Sequence, residues 1–304
     1  MTLSALGIFS AAAGLAPIII RDGVAGYVAG GYTNTFVGTV DKFTFTADTR
    51  STLGTGLSSN RYGPAGMFNP GVAGYAAGGV TSTAEVSTVD KFTYTADTRS
   101  TLGTGLSNNT HRLSGFSNPE VAGYAAGGGT PLSTVDKFAF PGDSRTTLGT
   151  GLSSARSDPA GFSDFAVAGY SAGGSSLSTV DKFAFPSDSR TTLATGLSSS
   201  RGQCAGFSNP KFAGYVAGGT SAVTTVDKFA FPSDSRTTLA TGLSSGRQAV
   251  TGFADAKLAG YAAGGSNGVT PLATVDKFAF PADTRSTLGT GLSSSRDFSA
   301  GFQD

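Results

Sequence analysis

The chain contains no tryptophan, one cysteine (Cys204), one histidine (His111) and two methionines in 304 residues. A lone cysteine excludes an intrachain disulfide framework and reads as a small apolar residue on an inner strand. Zinc and copper centres need several His or Cys ligands, so neither is expected. A Ser-His-Asp triad would have to use His111, and no strained nucleophile turn is present. The aspartates lack calcium-loop spacing. A carboxylate pair could be drawn from Asp158, Asp164 or Asp255, but no spacing singles one out. The chain reads as non-enzymatic, with no cofactor and no metal.

Charge of either sign is also scarce. A net charge of +1 provides no field towards nucleic acid or an anionic membrane. No stretch has the 3.6-residue apolar period of an amphipathic helix.

What the sequence has is glycine, 45 residues of it, at fixed positions of a repeat. Tyr27, Tyr75, Tyr124, Tyr170, Tyr215 and Tyr261 sit in Gly-Tyr-x-Ala-Gly-Gly motifs spaced 45 to 49 residues apart. A period of this length means stacked supersecondary units. The clearest unit, Ala168–Arg201 with the run before it, predicts strands at Ala160–Ser163, Ala168–Gly173, Thr179–Phe185 and Thr191–Leu197. Six such units predict an all-β fold, a six-bladed β-propeller of four-stranded blades spanning 21–304. Glycine before a strand cannot make a phosphate loop, which needs a helix N-terminus.

Within a unit, the two aromatics of Thr-Val-Asp-Lys-Phe-x-Phe are two residues apart and share one face of the sheet. They read as interblade core rather than a stacking platform for bases or sugars. The basic residues fall mostly at three repeat positions: Lys of Asp-Lys-Phe, Arg of Asp-Ser/Thr-Arg, and the Arg after Leu-Ser, with Arg112 serving in unit two. A charge reused in every unit reads as a blade-to-blade pairing device, because buried charges persist when paired.

Residues 1–20 carry no charge and form an apolar N-terminal arm. Gly7, Gly14 and Pro17 argue against a membrane span, and the basic region of a secretory signal is missing. Leu3, Leu6, Ile8, Phe9 and Leu15 are the expected assembly contacts with other protein subunits. The chain ends on Ala300-Gly301-Phe302, a seventh copy of the inner strand, which is expected to close the first blade beside Val24–Gly30 and remove a free edge. Closure by Ile18–Ile20 is the alternative.

The order of double glycine (Gly173-Gly174), Val-x-x-aromatic strand (Val180–Phe183), outer strand and Arg201 resembles the kelch repeat over about Val24 to Phe302. The kelch tryptophan is missing, with Arg190 or Thr191 near its place. The resemblance implies kelch-like propeller blades. The copper chemistry of galactose-oxidase-like kelch enzymes is excluded by ligand count. The near-identity of the units and the Met1–Ser10 opening also resemble virion proteins of aquatic bacteriophages.

Positions that differ between units fall in two connections: after the double glycine, and around the Arg entering the next blade. Antiparallel topology puts both on one face, around one end of the central channel. Loops on a rigid scaffold are where binding residues concentrate. The candidates there are Tyr32, Asn34, Phe36, Tyr62, His111, Arg112, Gln203 and Phe298, with drift in unconstrained loops as the competing reading. The expected function is structural: a propeller attached by its arm to a larger assembly, a virion or extracellular decoration or adhesion protein. A free lectin-like module binding cell-surface glycan is the alternative.

Overall fold

The computed structural model describes residues 23–304, so the arm and its expected contacts lie outside the described residues. Six four-stranded antiparallel sheets make the six blades of a β-propeller, and no described residue is helical. In the fourth blade the strands run from the axis outward as Ala160–Asp164, Ala168–Ala172, Val180–Ala184 and Ser189–Thr192. The first blade takes Ala25–Tyr32, Phe36–Thr44 and Thr49–Thr52 from the start of the chain and Ala300–Gln303 from its end. Phe302 pairs with Tyr27 as Phe162 pairs with Tyr170, so the C-terminal copy closes the ring as expected.

The outer strand begins and ends earlier than the sequence suggested, at Ser189–Thr192 rather than Thr191–Leu197. Thr192 Oγ1 donates to Asp181 Oδ1 at 2.7 Å. The chain then leaves the sheet towards Leu197, which is buried. Anchoring on the buried Asp181 carboxylate and then on buried Leu197 outweighs the β propensity of Thr195 between Thr192 and Leu197.

Register places two rows of side chains on each blade, and the rows have different work. Phe162, Tyr170 and Lys182 are paired across the sheet and face the next blade. Phe162 lies 5.7 Å from the ring of Phe229 in that blade, and Tyr170 lies 5.4 Å from Phe231. The Tyr170 hydroxyl and Lys182 Nζ each donate to Asp234 at 2.7 Å. The same triad recurs at all six junctions, ending with Tyr261 and Lys277 on Asp48. Burial and the neighbouring carboxylate hold these six phenols far above their ordinary pKa. Each stacked aromatic pair adds about 0.5–1.5 kcal/mol beyond its buried area.

The other end of five of the six junctions carries a buried Arg–Asp pair. Arg201 Nη2 donates to Asp227 Oδ2 at 2.8 Å, and the Ser198 N–H and hydroxyl donate to the same oxygen. Burial pulls the Asp227 carboxyl up, but Ser198, Thr238 and Arg201 together hold it below its ordinary value. Arg61, Arg156, Arg247 and Arg296 make equivalent pairs with Asp90, Asp181, Asp276 and Asp41. The second junction differs. Thr110, not Arg112, stands four residues after Leu106, so Asp136 keeps Ser107 and Thr147 and has no buried arginine. Arg112 is displaced to the channel mouth, which corrects its assignment to the repeat.

At the axis, Gly66, Gly115, Gly161, Gly206, Gly252 and Gly301 form a ring on the inner strands. A Cβ at Gly161 would lie 2.0 Å from the Gly115 carbonyl oxygen. We therefore expect Gly161→Ala to abolish folding or cost more than about 4 kcal/mol, the range of severe core lesions. Gly142→Ala meets nothing within 4 Å and should leave stability within about 1 kcal/mol. Urea unfolding of both variants checks this. Arg201→Met should cost about 3–5 kcal/mol by leaving Asp227 buried without its partner, and an unchanged midpoint would sink that account.

Candidate functional site

The connections that vary between blades do open on one end of the channel. Six equivalent residues ring its mouth: Gly63, Arg112, Asp158, Gln203, Ala249 and Phe298, all left-handed with φ between 51° and 71°. Their backbones bond head to tail: Gly63 N–H to Phe298 O, Arg112 to Gly63, Asp158 to Arg112, Gln203 to Asp158 and Phe298 to Ala249, at 2.6–3.1 Å. The remaining link is Val250 N–H to Gln203 O at 3.4 Å. The mouth is thus closed by amides that satisfy one another, and only side chains are left to meet a ligand. A left-handed L-residue costs about 1–2 kcal/mol, which glycine avoids. Only one of these six positions uses glycine.

Over one sector of this ring the candidates come together. Tyr62 is the hub: Phe36 stacks on it at 5.6 Å, and Tyr32 and His111 meet it edge-on at 5.9 and 5.6 Å. Phe298 tilts against it at 5.4 Å. The Arg112 guanidinium lies over Phe298 at 4.7 Å and near Tyr62 at 5.8 Å. All six side chains are half-buried. Gln203 lies across the mouth, lining a depression with Arg112, Asp158 and Phe298. Asn34 is exposed at the tip of its hairpin, apart from the cluster.

Sequence reasoning missed three acidic members. Arg112 Nε lies 3.7 Å from Asp158 Oδ1, and Glu85 Oε1 lies 2.9 Å from His111 Nδ1 without hydrogen-bond alignment. Asp297 is 8% exposed, and its Oδ1 has no partner. The signal was available, since all three lie inside the variable segments. Burial raises the Asp158 carboxyl, opposed by Arg112. Burial likewise pushes Asp297 up to about 6. Burial and Arg112 push the His111 imidazole down, against the pull of Glu85.

Unpartnered polar atoms gather here. Among the described residues and outside the repeated arginines, the buried side-chain atoms without a hydrogen bond are His111 Nδ1, Arg112 Nε, Gln203 Oε1 and Asp297 Oδ1 on this face, and Asn118 Oδ1 elsewhere. The tyrosines divide the same way. Seven of the nine donate to a carboxylate or carbonyl of the fold, while the hydroxyls of Tyr32 and Tyr62 have no partner among the described residues. Cys204 is buried just ahead of its inner strand, with its thiol pushed up to about 12 by burial. No three His, Cys, Asp or Glu side chains cluster as metal ligands among the described residues.

The opposite end is chemically different. Val24, Val72, Val121, Val167, Phe212 and Leu258, one per blade, are 46–68% exposed there. Inside them lies an apolar funnel lined by Phe68, Pro70, Pro119, Phe165, Pro210 and Ala256. The first described residues come in at its rim, where a Cβ at Gly23 would lie 2.7 Å from the Asp304 carbonyl oxygen. The sequence concealed this face because positions that repeat were read as scaffold.

No family model and no curated protein matches the chain. Among solved structures, one described as "Structure of YjhT" aligns with 90% of this chain and 98% of its own. The TM-score is 0.69 and the identity 13%. What the two share is the propeller fold.

Asp297 supplies a pH test of this geometry. Its pKa is raised in the folded state, so the ionised form weakens folding, and stability falls as pH rises from about 4 through about 6. Asp297→Asn should therefore be more stable than wild type at pH 8, by about 3 kcal/mol at 1.36 kcal/mol per pKa unit. The advantage should vanish by pH 4. Urea midpoints at the two pH values check the sign.

Proposed function

We propose that this propeller is a non-enzymatic structural and interaction protein with an attachment end and a recognition end. The arm, residues 1–20, joins it to a larger assembly, and the variable rim faces outward as a decoration or adhesion surface. The observation that carries this reading is the opposition of the two ends along one axis. One end has a ring of exposed apolar side chains at the point where the uncharged segment 1–20 leads into the first blade. A surface of that kind is suited to contact with protein rather than water. The other end gathers its aromatic rings, Arg112 and His111 over one sector of an otherwise six-fold scaffold.

The resemblance of the near-identical units and the Met1–Ser10 opening to phage virion proteins supports an assembly on a virion or outside the cell, and the kelch resemblance speaks for the blades alone. The glycan-binding reading uses the same rim and differs in dispensing with the assembly. The scarcity of histidine and cysteine supports a role without catalysis.

Light scattering on the full chain beside a chain beginning at Arg21 tests the attachment end. The full chain should self-associate or join particles, and the shorter chain should remain a folded monomer. Two monomers with no particle binding would remove the arm as an assembly element.

A further inference from the structure

We infer that the variable rim binds a neutral saccharide, seated at the channel mouth between the Tyr62 cluster and Gln203. The inference rests on the reading of this rim as the recognition end, and it names the ligand class.

The argument begins with the unpartnered atoms. Arg112 Nε can only donate, whereas Gln203 Oε1 and Asp297 Oδ1 can only accept while the carboxylate is ionised. An anion would satisfy the first and leave the other two bare, and a cation would do the reverse. Hydroxyl groups donate and accept, so a polyol meets both from one ligand. Asp297 is more than nine-tenths buried and its backbone pairs with that of Tyr32, which places it beside this cluster, where the charge of Arg112 also acts on it. A buried acceptor left without a donor is costly, and a ligand hydroxyl relieves that cost.

The rings provide the second half of such a site. Tyr32, Phe36, Tyr62 and Phe298 are half-buried, so the cluster as a whole presents some aromatic surface to which the C–H side of a pyranose is suited. The two tyrosines also carry the only hydroxyls of their kind without a partner in the fold among the described residues. An apolar body with a free polar tip is the combination that marks aromatic residues at recognition surfaces. The charges near the mouth are mixed: Arg112 lies beside Asp158 and its charge acts on Asp297, and His111 lies beside Glu85. No net field there favours an acidic sugar over a neutral one.

The test is a printed array of neutral and acidic oligosaccharides, probed with the full chain and three variants, each first checked for an unchanged thermal midpoint. At least one neutral saccharide should be retained. Tyr62→Ala and Gln203→Ala should each weaken it by tenfold or more, while Phe212→Ala on the opposite face should bind as wild type. An empty array, retention of acidic sugars alone, or binding indifferent to Tyr62→Ala overturns the inference. Sedimentation with cell-surface fractions before and after periodate, which cleaves vicinal diols, separates this failure from the wider one. Binding that survives periodate but is lost in Tyr62→Ala sinks the saccharide and keeps the recognition end. Binding indifferent to both treatments sinks the recognition end as well.

Discussion

Adjacent blades touch at six glycines on the inner strands, where a methyl group would fall about 2 Å from the next glycine's carbonyl oxygen. That approach sets the distance between blades, and the other contacts depend on it. It brings Phe162 against Gly214 and Phe229 of the following blade, and it lets Tyr170 and Lys182 reach one carboxylate of Asp234. At the far end it buries Arg201 on Asp227. The last strand of the chain pairs in the first blade, so every blade has its innermost strand and the only edges left at the axis are short and protected.

Burying charge in this way is weak as a source of stability and strong as a constraint. A buried ion pair roughly balances its own desolvation, but a buried charge without its partner is heavily penalised. Each Arg–Asp pair therefore acts as a register lock between blades rather than as an attractive force of its own. The second junction shows the lock relaxed. Thr110 takes the arginine slot, and the carboxylate of Asp136 is held by Ser107 and Thr147. The arginine nearest in sequence, Arg112, lies instead over Phe298 at the channel mouth. One position changed from scaffold to rim is a small alteration in sequence and a large one in surface chemistry.

The two ends of the axis show how a repeat can hide or display a surface. At the variable end, differences between units pointed directly at Tyr32, Phe36, Tyr62, His111, Arg112 and Phe298, and these six meet in one cluster. At the other end, the exposed apolar residue preceding each Ala-Gly-Tyr is the same kind in every unit. Comparison within the chain therefore reads it as scaffold, and only its exposure reveals a surface.

Period, glycine placement and aromatic spacing were enough by themselves to determine a propeller of six four-stranded blades, while the choice of the C-terminal strand over Ile18–Ile20 for its closure came from the strand pairing. The reason is that these are local signals repeated six times, so one unit confirms another. The limits of the outer strand, the vacancy at Thr110 and the ring of left-handed residues were decided by tertiary structure. So were the grouping of Asp158, Asp297 and Glu85 with the rim and the exposure of the apolar face. Each depends on which side chains from different blades come within a few ångströms of one another. That distance is set by ring closure across about 270 residues (Val28 O to Arg296 Nη2, for example), and no window of sequence contains it.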